Sequence, residues 1–179
     1  VRIEVAQDVS RFIETSVRDV AGDMVLGAIL AIAVTAAFLL SGRATLIVSA
    51  AIPASVIGSF FLFYAAGFTL NILTLMALSV STGILVDDAI VVLENVHRHL
   101  EQGESPMEAA LRGTAEVGSA VMAATLSIFA VFVPIAFMQG MVGRFFFEYG
   151  LTVVFAVAVS LLVALTLTPS LCARLLRRD

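Results

Sequence analysis

The sequence predicts an all-α fold, a polytopic membrane helix bundle of five transmembrane helices, and three observations carry that expectation. The chain is 60% hydrophobic and only 13% charged, against roughly 25% charged residues in soluble domains. Its apolar residues gather in five long runs, at about 24–40, 46–66, 70–96, 119–138 and 151–167. Each run is near the roughly 20 residues that a helix needs to cross a bilayer. Short stretches rich in glycine, serine or charge separate the runs.

Residues 1–20 read as the end of a loop and a lead-in helix. Val1, Ile3 and Val5 alternate with Arg2 and Glu4, as in the last residues of a strand. Ser10 is the expected N-cap of an amphipathic segment, Phe12 to Val20, that runs into the first span. The first residues have neither the basic region nor the cleavage site of a signal peptide, and the chain is expected to be a piece of something longer. Ser41-Gly42-Arg43 should close the first span, with glycine at the C-terminal cap position.

In the second span, Pro53 would kink a soluble helix, but neighbouring helices in a membrane can re-satisfy the freed carbonyl. Gly58 and Ser59 offer a small face for close helix approach. A short turn at Gly67 leads into the third span, and from His97 to Gly113 the chain turns polar. Gly103 is a stop signal. Ser105-Pro106-Met107-Glu108 is a capping box with proline at the first helical position, which predicts a surface helix over about 106–116 feeding the fourth span. Pro134 marks a kink there. The stretch Gln139 to Tyr149, with Gly140, Gly143, Arg144 and three phenylalanines, reads as an interfacial loop with an aromatic edge. The last span is expected to end at Thr168-Pro169, before a basic tail.

All ten basic residues are arginine. Arg43, Arg98, Arg112, Arg174, Arg177 and Arg178 fall on one side of the five spans, and Arg2, Arg11, Arg18 and Arg144 on the other. The positive-inside rule then puts the C-terminus in the cytoplasm. A net charge of -4 argues against a nucleic-acid partner. The lone Cys172 excludes an internal disulfide and reads as a small packing residue. His97 and His99 are too few ligands for a metal and read as solvated; Glu94 is expected to pair with Arg98 at the interface.

One stretch resists a purely structural account. In GILVDDAIVVLEN, Gly83 to Asn95, Asp87 and Asp88 stand side by side inside the third apolar run. Each charged aspartate at the centre of a membrane helix costs about 2.5–3.5 kcal/mol, and an ionisable residue at that depth is by default a functional hypothesis. Neighbours on a helix point about 100° apart, so one acid can face a partner helix while the other faces a second groove. The spans hold no lysine or arginine at this depth. A desolvated carboxylate with no cation neutralises by keeping a proton, so at least one acid is expected to be protonated near neutral pH. Any counter-charge must come from outside these residues. Asn71, Thr82 and Glu94 are candidates to support the pair; Glu94 falls seven residues after Asp87, on the same side of the helix.

Four stretches make the sequence familiar: GRATLIVSAAIP (Gly42 to Pro53), NILTLMALSVSTGILVDDAIVVLENV (Asn71 to Val96), FVPIAFMQGMVGR (Phe132 to Arg144) and LTLTPSLCA (Leu165 to Ala173). In this order and spacing the chain resembles the resistance-nodulation-division (RND) multidrug efflux transporters of Gram-negative bacteria. The resemblance implies the end of the first periplasmic loop followed by transmembrane helices two to six of the N-terminal half. It implies that Asp87 and Asp88 are the proton-relay carboxylates, facing a lysine from the C-terminal half of the same transporter. It further implies a homotrimeric drug/proton antiporter in the bacterial inner membrane. Such a transporter is driven by proton-motive force with no cofactor, and works with a periplasmic adaptor protein and an outer-membrane channel on small amphipathic substrates.

The residues leave rivals open. A sister transporter of metal ions or lipids would share the helices, and a non-transporting scaffold half would share the packing. An intramembrane aspartyl protease would need two aspartates from different helices across one cleft, whereas the deep acids here are adjacent on one helix.

Overall fold

In the computed structural model the described backbone covers residues 9–39 and 41–176, with side chains described over 14–37 and 41–176. The strand expected at Val1 to Val5 lies outside the described residues. Five helices follow in order: α1 (Val9–Leu39), α2 (Gly42–Ala65), α3 (Ile72–Glu101), α4 (Pro106–Ala136) and α5 (Gly140–Leu175). All five contain segments long and apolar enough to cross a membrane. Among the described residues there is no strand, and the five expected spans are the five helices.

The helices run further than the apolar runs alone implied, and five expectations change. α1 is already helical at Val9, so Ser10 lies within it rather than at its cap. Ser41 and Gly42 do not end α1; Ser41 is the N-cap of α2, its Oγ accepting from Ala44 N at 3.5 Å. The expected surface helix and fourth span are one continuous α4, because no proline or left-handed glycine interrupts 107–133. The expected loop at Gln139 to Tyr149 is instead the first three turns of α5, with only Gly140 in the left-handed region, at φ 93°. α5 also passes through Pro169 to Leu175. A proline removes one backbone donor, which buried neighbours in a bundle can tolerate.

Helix ends obey local chemistry. Ser105 and Glu108 form the expected capping box, and Asn71 forms a second one with Thr74. Gly67 and Gly103 take φ of 71° and 99° where α2 and α3 turn out.

α3 and α5 form the central pair; α2 and α4 pack against both, and α1 lies on α3 and α2. α3 is the most enclosed helix and α1 the least. Lipid tails are as apolar as leucine, so close packing rather than water exclusion drives such contacts, and small residues permit it. Along α5, every fourth residue from Thr152 to Cys172 is small and essentially buried: Thr152, Ala156, Ser160, Ala164, Thr168 and Cys172. That spacing makes one ridge of a helix surface. Gly58 of α2 adds the close approach expected of it, since a Cβ there would stand 2.6 Å from Val159 Cγ1 of α5.

Candidate proton-relay site

α3 has two faces of different character. Residues Thr74, Ser81, Asp88 and Asn95, spaced by seven, are all buried, although each carries a polar group in a mainly apolar helix. On the other side Met76, Val80, Gly83, Asp87, Val91, Glu94, Arg98 and Glu101 form an unbroken exposed stripe at steps of three and four. The two aspartates therefore part company. Asp88 is 8% exposed and faces inward; Asp87 lies on the open stripe. They are the sixteenth and seventeenth of the 30 residues of α3, so both sit at mid-length of a helix about 45 Å long.

Inward, Asp88 meets Ser160 of the small ridge of α5. The Ser160 hydroxyl donates its only proton to Leu85 O, at 2.9 Å. That leaves an oxygen that can accept from a protonated Asp88. Asp88 Oδ2 is buried and has no hydrogen-bond partner among the described residues. A buried carboxylate oxygen left this way is costly when charged and tolerable when the group carries a proton.

Of the three supporting candidates, only Glu94 shares a face of α3 with Asp87. Asn71 caps α3, accepting from Leu73 N and Thr74 N at 2.9 and 3.0 Å, and its Nδ2 donates to Glu148 of α5. It stands 16 residues before Asp87, about 24 Å along the axis. Thr82 is buried and donates to Leu78 O at 2.9 Å; five residues before Asp87, it projects about 140° away round the helix. Glu94 shares the open stripe with Asp87, but Arg98 does not pair with it. Arg98 reaches across to Glu116 of α4 at 2.8 Å, because α4 passes close to this end of α3. His99 is not solvated either. It lies between Glu104 and Glu116, at 3.2 and 2.9 Å.

Sequence reading missed Ser160, Asn95, Gly113 and Glu116. The one available signal was the seven-residue repeat through Asp88, which marks Asn95 but names none of its partners.

A family model described as the AcrB/AcrD/AcrF family matches residues 1–179, the whole chain. The chain belongs to that family. Membership bears out the resemblance to RND multidrug efflux transporters that the four sequence stretches carried. Among relatives in the AcrB/AcrD/AcrF family, the multidrug resistance protein MdtC of Pectobacterium carotovorum is 50% identical over 177 residues. MdtC of Photorhabdus laumondii is 51% identical and that of Yersinia enterocolitica 50%, each over 177 residues. Each alignment covers 99% of this chain and 17% of the relative. The chain thus spans about a sixth of the length of the AcrB/AcrD/AcrF proteins it matches.

Proposed function

We propose that this chain supplies the proton-relay helix of a drug/proton antiporter, with Asp87 and Asp88 as the carboxylates that bind and release protons. The observation that carries the reading is the divergence of the two acids at mid-length of α3. One is enclosed against a serine whose proton is committed elsewhere, and the other lies on a helix stripe that no described residue covers. No arginine of the described residues lies within nine positions of the pair, and the sequence has no lysine. The counter-cation is a lysine from the C-terminal half of the same transporter, docked on the Asp87 stripe. Movement of a proton on and off the pair changes that contact and drives the transport cycle.

The energy scale is adequate. One charge crossing 100 mV releases about 2.3 kcal/mol, and turning a two-state switch from 1:99 to 99:1 takes about 5.5 kcal/mol. Two protons with a modest pH gradient are of that order. The parent protein is a homotrimer in the bacterial inner membrane, coupled to a periplasmic adaptor and an outer-membrane channel, and exports small amphipathic compounds; its MdtC relatives are named multidrug resistance proteins.

The test is made in the intact transporter. Asp87→Asn and Asp88→Asn should each abolish proton-coupled dye export, by about tenfold or more, with protein levels in the membrane unchanged. Export at the normal rate from both variants would refute the relay and favour a scaffold role.

A further inference from the structure

The end of α3 that carries Arg98 is tied to α4 by more than apolar packing. Asn95 is only 9% exposed, and its Nδ2 donates to Gly113 O at 2.7 Å. Gly113 has no room for a methyl group: a Cβ there would stand 2.9 Å from Val96 Cα and 3.0 Å from Val96 N. Backbone meets backbone at this point. Around it, Glu116 of α4 accepts from Asn95 at 3.3 Å and from Arg98 at 2.8 Å, and it meets His99 at 2.9 Å.

Asn95 also shares the buried polar stripe with Asp88. Seven residues turn a helix through 700°, about 20° short of two full turns, over about 10.5 Å of axis. A stiff helix held against rotation at Asn95 is therefore held at Asp88. The contrast between the two acids depends on that rotation, because they point only about 100° apart. A turn of half that angle would leave them equally exposed.

We infer that Asn95 is a positioning residue for the carboxylate pair: its bond to Gly113 sets the rotation of α3 that turns Asp88 inward and Asp87 onto the open stripe. This rests on the proposed relay role of the pair, while the rotation itself can be measured without it. An amide at this buried position, where leucine would pack at lower cost in apolar surroundings, is explained by the directional bond.

The test uses the intact transporter in membranes. A cysteine replaces either Glu101, exposed beyond the hydrocarbon-spanning length of α3, or Leu100, which is buried beside it. The ratio of their reaction rates with a small membrane-permeant maleimide, read by peptide mass spectrometry, reports the rotation. Asn95→Leu and Asn95→Asp both lose the donor at similar volume. In each, the Glu101-to-Leu100 ratio should fall by about threefold or more as the helix turns by some tens of degrees, and the pH profile of transport should shift. An unchanged ratio in both variants overturns the inference, as does a changed ratio with an unmoved pH profile in a transporter that Asp87→Asn and Asp88→Asn disable. Should neither variant accumulate, Gly113→Ala carries the same test from the α4 side. A falling ratio in a transporter whose Asp87→Asn and Asp88→Asn forms export normally would instead sink the relay and leave the clamp standing.

Discussion

Gly150 and Gly118 lie on neighbouring helices and have opposite tolerances for a side chain. A Cβ at Gly150 would meet Phe132 O at 2.9 Å, Ala136 Cβ at 3.0 Å and Ala136 N at 3.1 Å, all on α4. Two of those atoms are backbone and cannot swing aside. At Gly118 the nearest atom is Leu165 Cδ2 at 4.0 Å. Gly150→Ala should therefore cost about 1–3 kcal/mol through overpacking, whereas Gly118→Ala should be neutral or stabilise by up to about 1 kcal/mol by stiffening the unfolded chain. Thermal unfolding of the intact transporter separates them: the first melts earlier and the second does not. Equal melting temperatures would mean that the α4–α5 contact is looser than these distances. Side-chain composition could not distinguish the two glycines, since the difference lies in what stands opposite.

At the scale of helices, the ends that depend on a few neighbouring residues were legible. The Ser105 to Glu108 capping box was readable because its four residues satisfy one another without tertiary help. The first turns of α5 were not, because Phe147 packs on the distant rings of Phe68 and Phe137. The α3–α4 clamp was equally hidden, and its electrostatics carry a pH signature. These groups stand past the roughly 20 residues each helix needs for the hydrocarbon. Arg98, then His99 and Asn95, hold Glu116 down to about 2. Glu116, then Glu104, hold His99 above its ordinary value of 6.5. The Glu116 contribution is present above its ordinary value of 4.5 and fades as pH falls toward 2. The His99 contribution is complete below 6.5 and is lost as pH rises through its raised value. Amide exchange across 96–104, corrected for intrinsic rates, should be slowest between those two ordinary values and should speed up in alkali. Glu116→Gln should flatten that dependence. A flat profile in the unaltered protein would show that the ion pairs add nothing to the backbone contact.

The molecule as a whole is asymmetric about its most enclosed helix. α3 is enclosed on the sides of α1, α2, α4 and α5 yet keeps one stripe bare, with Gly83 and Asp87 in the middle of it. A Cβ at Gly83 would meet nothing within 4 Å. If the stripe receives a helix from the rest of the transporter, Gly83→Leu should leave the packing of this segment intact and reduce export by about tenfold or more, because the incoming helix can no longer approach closely. Normal export by this variant, at normal abundance, would mean that the stripe faces lipid.

The order and number of the helices, the membrane setting and the twin acids followed from the sequence by itself, because apolar run length and the cost of charge in hydrocarbon are properties of local composition. Which acid turns inward, the serine it meets and the amide that holds its helix in place were decided only by tertiary structure. Those depend on the rotation of α3, which is set by contacts with Ser160 and Gly113, 72 and 25 residues away from Asp88 along the chain.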